Sequence, residues 1–553
     1  MRWFPVLIAT LVTACATQPA VDHKVPTRHQ QIDALFQPWD SRTTPGCAVA
    51  VSLSGSLDYA RGYGIADLEN DIPITPRSIF PAASISKQFT AFSVGLLVQD
   101  GKLSLEDDIR KYVPEIPDYG RTITIDHLIH HTSGLREQGQ LLNLSGWRGG
   151  DPSTEDDILQ VLSRQRRLSF EPGSEIVYTN VAYTLLGLIV RRVSGQSLKA
   201  FAEDRIFKPL DMVDTHFGDD RTAVVPRRAP GYSLRAAGGW SVNVATSSDH
   251  YGAGGLFTTV GDLLKWEQNL IDGRVGSPAL IAWTQTSGKL NDGTETGYGA
   301  GLILRDYRGL RTVSHDGLDG GTRTEAVLFP DQRLAIVALC NSSTVEPTSL
   351  TRKVADLYLS DQMRGPALAP IVEASDAEQS VWAGVYWNPS TDEVVQIEWK
   401  DGALRQVGSA TPFVPIGDGV FRPNDLAHEW RFVRSAADGQ PELRIRDAWR
   451  TQRVFTRVSL PLPDVAALNA FVGQYHSEET EMTYTARVSD GRLRLSWPRQ
   501  QDFALDPIGG DRFVSSRGTV TFIRTASGDV AGFTISHRRM RRLFAERVSS
   551  VSR

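Results

Sequence analysis

The sequence predicts an α+β domain followed by two small all-β units. Three observations carry this. Strand-like runs stand at both ends of residues 30–365, with helical runs between them. Helical periodicity stops beyond residue 366, and short alternating runs take over. That last part also repeats itself. Trp382, Gly384, Tyr386, Asp401, Gly402, Leu404 and Phe455 recur as Phe471, Gly473, Tyr475, Asp490, Gly491, Leu493 and Phe544, each pair 89 residues apart, and Phe432 and Phe522 match at an offset of 90. Several domains are expected on size alone, since 553 residues exceed the roughly 250–300 that one core supports. Hydrophobic residues at 41% and charged residues at 22% exclude a mostly disordered chain. A formal net charge of −5 argues against a nucleic-acid partner, which would require a basic face.

Taken in order, the chain starts with Arg2 and an apolar run from Phe4 to Ala14. That run is too short to span a bilayer, which takes about 20 residues, and it suits the apolar part of an export signal. Val12-Thr13-Ala14-Cys15 has the look of a bacterial lipoprotein cleavage box over residues 1–15, making Cys15 the acylated first residue and the membrane a partner through that anchor. Cleavage after Ala16, giving a soluble secreted or periplasmic protein, is the other reading. Residues 16–29 are polar and contain proline, as a tether would.

In the α+β part, CAVAVSLSG and DYARGYGIAD flank a turn and read as a hairpin. Ser86 to Asp100 and Asn180 to Ser194 read as helices, stopped by Asp100-Gly101 and by Gly195. LRTVSH, TEAVLFP and RLAIVALC are late strands, so both ends of the domain contribute to one sheet. Cys47 and Cys340 lie in apolar strand-like runs and read as buried thiols, with a bond between them only if those strands are neighbours. The two repeats, about 366–460 and 461–553, have the size and texture of small antiparallel barrels. Arg538, Arg539, Arg541 and Arg542 fall on such a strand region, where alternation leaves several of them solvated, with contact to anionic lipid as the minor alternative.

The sharpest chemical signal is Ser84-Ile85-Ser86-Lys87 at the start of a predicted helix. Residues i and i+3 share a helix face, and three steps of about 1.5 Å set them about 5 Å apart along the axis. A buried lysine beside a serine can act as its base. Lowering its pKa from about 10.4 towards 7 costs roughly 4–5 kcal/mol, supplied by burial and nearby cations. With ten lysines in the chain, one S-x-x-K is expected by chance on the order of once, so the motif alone also fits a solvated helix face. Tyr178-Thr179-Asn180 offers a phenol for proton relay and an amide for a substrate carbonyl, or else a core aromatic beside a helix cap. His315-Asp316-Gly317 closes the strand LRTVSH. A glycine there lets backbone approach a substrate closely, and the Leu318 N–H could join that of Ser84 as oxyanion donors, each typically worth about 10²–10³ in rate. His130-His131 has no ligand partner at metal spacing, and neither H-E-x-x-H nor G-x-S-x-G occurs, so the reading calls for no metal and no cofactor.

In this order the three motifs resemble the serine β-lactamase-like superfamily, specifically the class C-related hydrolases. The resemblance extends to HHTSGL (130–135), FEPGSEIVYTN (170–180), PLDM (209–212), GGLFTTVGDLLKW (254–266) and GYGAGL (297–302). It implies a penicillin-binding-protein-like fold, an antiparallel sheet flanked by helices, with lipocalin-like barrels behind it. It implies Ser84 as nucleophile, Lys87 and Tyr178 sharing the base and relay work, Asn180 on the substrate, and His315 in place of the third-motif lysine. The family sheet also makes the first strand a neighbour of the last, which implies a Cys47–Cys340 disulfide. The motif H-D-G departs from K-T-G, lacking the cation and hydroxyl that hold a carboxylate, and Asp316 would repel one. That departure, with two trailing barrels, is similar to the D-stereospecific aminopeptidases, in which a loop of the last barrel reaches the cleft. The expected substrate is a short peptide, amide or ester. A carboxylesterase and a weak β-lactamase are the enzyme rivals. A non-catalytic envelope-binding protein on this fold is the other class, against which the intact Ser84, Lys87, Tyr178 and Asn180 speak.

Overall fold

The computed structural model describes residues 26–548 apart from 244–250, 366–369, 410, 418, 424–428, 437–438, 447–451 and 459–462. Cys15 and the segment expected to be an export signal lie outside the described residues. Of the stretch expected as a tether, Arg28 and His29 are already helical: a helix runs over Arg28–Phe36, capped by Thr27 and Gln30 bonding each other's backbone.

The α+β part is built on a six-stranded antiparallel sheet. Its strands are β1 (Cys47–Leu53), β2 (Ser56–Tyr63), β3 (Ile303–Tyr307), β4 (Leu310–Asp319), β5 (Thr322–Phe329) and β6 (Leu334–Cys340). Their order is β3-β4-β5-β6-β1-β2, so the first and last segments of the domain pair at its centre. Alternation divides the sheet between two cores. Cys47, Val49 and Val51 face one with Phe36, Leu350 and Val354; Ala48 and Ala50 face the other with the helices α1 (Ser86–Gln99) and α2 (Asn180–Ser194). Both faces are covered, which is why β1 and β6 read as continuous apolar runs. In the β1–β6 register Cys47 stands opposite Cys340, and the two are joined by a disulfide.

Both helices follow their sequence signals. α2 ends at Ser194 with Gly195 at φ +76°, a left-handed cap that glycine adopts without strain. One strand runs further than LRTVSH suggests. β4 continues through His315 and Gly317 to Asp319, because it pairs with β5 as far as Asp319 opposite Thr322. The H-D-G motif therefore lies within a strand rather than at its end.

The repeat is real in three dimensions. In each copy eight strands follow one another in the same order: the first copy forms one sheet, and the second closes into a barrel. Tyr386 donates to the Trp382 carbonyl at 2.8 Å, and its counterpart Tyr475 donates to that of Phe471 at 2.7 Å. The 89-residue spacing does not persist to the last strand. Tyr386 pairs with Arg457 and Tyr475 with Arg547, an offset of 90. Phe455 is thus equivalent to Ala545, and both are fully buried, while Phe544 is 40% exposed. One residue of slip turns a side chain to the other face of a strand.

The second barrel is docked against the α+β part. Tyr484 donates to the Leu144 carbonyl and Trp497 Nε1 to that of Asn143, both at 3.0 Å. Arg136, almost fully buried, pairs with Glu479. Apolar residues of the barrel and of the α+β part merge into one core, whereas the first copy keeps its own.

Candidate active site

Ser84 sits in a short 3-10 turn, Ala83–Ile85, that leads into α1. Ala83 has φ +50°, uncommon for a residue with a Cβ and a sign of local strain at the point where the serine is aimed. Neighbouring segments hold this turn. Ala82 N donates to the Leu256 carbonyl at 2.8 Å, and Thr324 Oγ1 on β5 donates to that of Ala82 at 3.1 Å. Gly317 on β4 faces the same carbonyl so closely that a Cβ there would lie 2.6 Å from it and 2.2 Å from Thr324 Oγ1. Only glycine lets the strand come so near.

Lys87 is fully buried on the first turn of α1. Its Nζ meets Ser84 Oγ at 3.1 Å, Asn180 Oδ1 at 3.0 Å and the Ala253 carbonyl at 2.7 Å. Burial, chiefly, and the nearby Arg539 push its pKa down to about 7, against the pull of Glu137, Asp316 and Asp319. Two of its three partners are oxygens that can only accept. A neutral amine has two N–H donors and one lone pair, so with both donors engaged the lone pair faces Ser84. That geometry makes Lys87 able to take the serine proton. Tyr178 borders the cleft beside Ser84, and burial holds its phenol well above the ordinary range, hence protonated and able to donate. Asn180, first residue of α2, gives its backbone N–H to Glu137 Oε2 at 2.6 Å.

His315 does not stand in for a cation. Burial pushes its pKa down to about 4. Its Nδ1–H donates to the Asp316 carbonyl at 2.6 Å, so Nε2 accepts from the Tyr298 hydroxyl at 3.2 Å. The imidazole is neutral and anchors an aromatic group in which His131, Tyr178 and Tyr298 pack together. Asp316 is exposed, and Leu318 lines the cleft beside Ser84.

Ser84, Asn180 and Leu318 border two adjoining spaces, of about 1070 and 330 Å³. Asp316 lies on the first and Asp319 on the second. The larger is walled by the α+β part, by the first repeat at Asn388 and Arg453, and by the second barrel at Arg538, Arg539 and Arg541. Of the basic cluster, Arg538 and Arg542 are exposed as expected, while Arg541 is buried and Arg539 half-buried in the cleft wall. Arg539 lies over Tyr178, with Cζ 5.1 Å from the ring centroid. Arg541 forms a bidentate pair with Glu175, and Arg542 pairs with Asp392. Sequence pattern missed these because nothing local signals a docking partner some 370 residues away. Glu137 and Tyr298 were missed although both lie in or beside the segments HHTSGL and GYGAGL.

With this site in view, the family model described as Beta-lactamase matches residues 32–359. The chain belongs to the Beta-lactamase family. Within it, the chain is 28% identical over 334 residues to a penicillin-binding protein of Bacillus subtilis (strain 168), covering 57% of this chain and 72% of that one. It is 27% identical over 297 residues to a D-aminopeptidase of Gluconobacter oxydans (strain 621H), covering 54% of this chain and 56% of the relative, little more than half its length. An octameric penicillin-binding protein homologue from Pyrococcus abyssi shares the fold with TM-score 0.57 and 24% identity, over 77% of this chain and 99% of that one. This member of the Beta-lactamase family is a serine hydrolase.

Proposed function

We infer that the enzyme is an exported D-aminopeptidase-like hydrolase of short peptides and amides, acting through an acyl-enzyme on Ser84. The observation that carries this is the buried Lys87 amine, 3.1 Å from Ser84 Oγ and otherwise hydrogen-bonded to the Asn180 amide oxygen and the Ala253 carbonyl. Lys87 takes the hydroxyl proton as the Oγ–C bond forms at the scissile carbonyl. The oxyanion is held by the backbone N–H groups of Ser84 and Leu318. Tyr178 passes its proton to the departing nitrogen as the C–N bond breaks, and Lys87 returns the proton it took to the phenolate. Water then releases the acyl group along the same route, restoring the Ser84 hydroxyl. Proton relay of this kind is typically worth about 10²–10⁴. Asp319, on the smaller space, is a carboxylate suited to a free α-ammonium on the acyl side.

Export rests on the disulfide between Cys47 and Cys340, since such bonds persist in oxidising compartments. Lipid attachment at Cys15 goes with it, and the intact mass of the membrane-extracted protein tests it. The activity itself is tested with D-Ala-p-nitroanilide beside its L-enantiomer. D-selective turnover that falls to background in Ser84→Ala is expected. Turnover of p-nitrophenyl esters with neither anilide cleaved would replace this reading by a carboxylesterase.

A further inference from the structure

The arginines of the second barrel are not used by the chemistry above. Six arginines line the larger space beside Ser84. Arg541 is paired with Glu175, Arg453 with Glu393 and Arg352 with Glu325, and Arg305 and Arg538 are also engaged. Arg539 differs. Its guanidinium rests over the Tyr178 ring, and no residue among those described forms an ion pair with it. Asp316 and Glu137, which act on Tyr178 in the sense opposite to Arg539, form no ion pair with it. It is half-buried, where a charge without a partner is costlier than in water.

This residue is also firmly placed. It lies in the turn between the strands Val530–His537 and Met540–Arg547. Its own carbonyl accepts from Glu137 N at 3.1 Å, and Arg541 N donates to Ser169 Oγ at 3.3 Å. A fixed guanidinium with free donors is prepared for an anion, and its planar fork matches a carboxylate.

The position says which carboxylate. Tyr178 serves the departing nitrogen, so a cation over its ring stands on the leaving-group side. In a peptide whose leaving part is a single amino acid, the carboxylate is separated from that nitrogen by one Cα. On the α+β sheet the cation lining this space is Arg305, which is already engaged, whereas His315 is neutral and H-D-G has no lysine. We propose that Arg539, contributed by the second barrel, binds the free carboxylate of the leaving amino acid, so that the preferred substrates are short peptides ending one residue beyond the scissile bond. This deepens the acyl-transfer reading and rests on it.

The test uses the full chain carrying Ser84→Ala, so that nothing is turned over and binding is read separately from activity. D-alanyl-glycine and D-alanyl-glycinamide share every group except the terminal carboxylate. By calorimetry the acid should bind roughly 10- to 100-fold tighter than the amide, the usual range for a charge-assisted bond. Adding Arg539→Gln should abolish that difference, and Arg539→Lys should keep part of it. Equal binding of acid and amide, a difference that survives Arg539→Gln, or no binding of either peptide would overturn the proposal. In the Ser84-intact enzyme Arg539→Gln should lower kcat/KM for the acid far more than for the amide. An equal fall for both, with the acid limb of the pH profile displaced, would show that Arg539 acts only through Lys87. Failure of the acyl-enzyme reading shows instead as hydrolysis of D-Ala-p-nitroanilide that survives Ser84→Ala.

Discussion

Each polar atom of the serine, the lysine and the tyrosine has its place set by what the neighbours can donate or accept. The pH dependence follows. Lys87 must be neutral to take a proton, so kcat/KM should rise with pH through an acid limb near 7. Glu137 favours the charged amine, so Glu137→Gln, which keeps an oxygen for Asn180 N, should move that limb to lower pH. Removing the positive charge of Arg539 should move it the other way. A pH–rate profile of each variant checks both signs, and shifts in one direction for both would exclude this electrostatic account. Much of this site was legible in the sequence. Ser84, Lys87, Tyr178 and Asn180 come together as their motifs imply. His315 was legible as a position and not as a charge, because its state depends on burial and on Tyr298, which no local pattern shows.

Among the elements, the close fit of β4 against the nucleophile turn sets the precision of the site. A methyl group at residue 317 would meet the Ala82 carbonyl and Thr324 Oγ1 well inside contact distance. Overpacking of this kind costs about 1–3 kcal/mol, and the turn carrying Ser84 must move to relieve it. Gly317→Ala should therefore lower kcat and bring the melting temperature down by a few degrees, and a folded variant with full kcat would count against the argument. Helix ends and late strands were predictable because capping glycines and alternation are local signals. The continuation of β4 past His315 was not, since it depends on a partner strand. The one-residue slip that turns Phe544 outward was hidden for the same reason: a repeat in sequence records identity, and only pairing across strands records facing.

Over the whole molecule, the shared core joins the second barrel to the α+β part, while the first repeat has a core of its own. Hydrogen exchange should show the α+β part and the second barrel opening together, and the first repeat opening separately at lower free energy. Three independent transitions would mean that the merged core is not a cooperative one. The barrels were predictable as folds from their repeat, but not as walls of the cleft, because docking is decided by surfaces distant in sequence such as Arg136 with Glu479.

The pairing of β1 with β6 also imposes an order in time. Cys47 and Cys340 are separated by 293 positions, so the centre of the sheet cannot close until nearly all of the α+β part has been synthesised. At about 5–20 residues per second, β1 waits on the order of 15–60 s for its partner. During that wait it is an apolar strand with open edges, the kind that invites wrong pairing. A nascent chain in this condition suits the export proposed above, since a translocon that accepts only unfolded polypeptide would take it before the sheet could close.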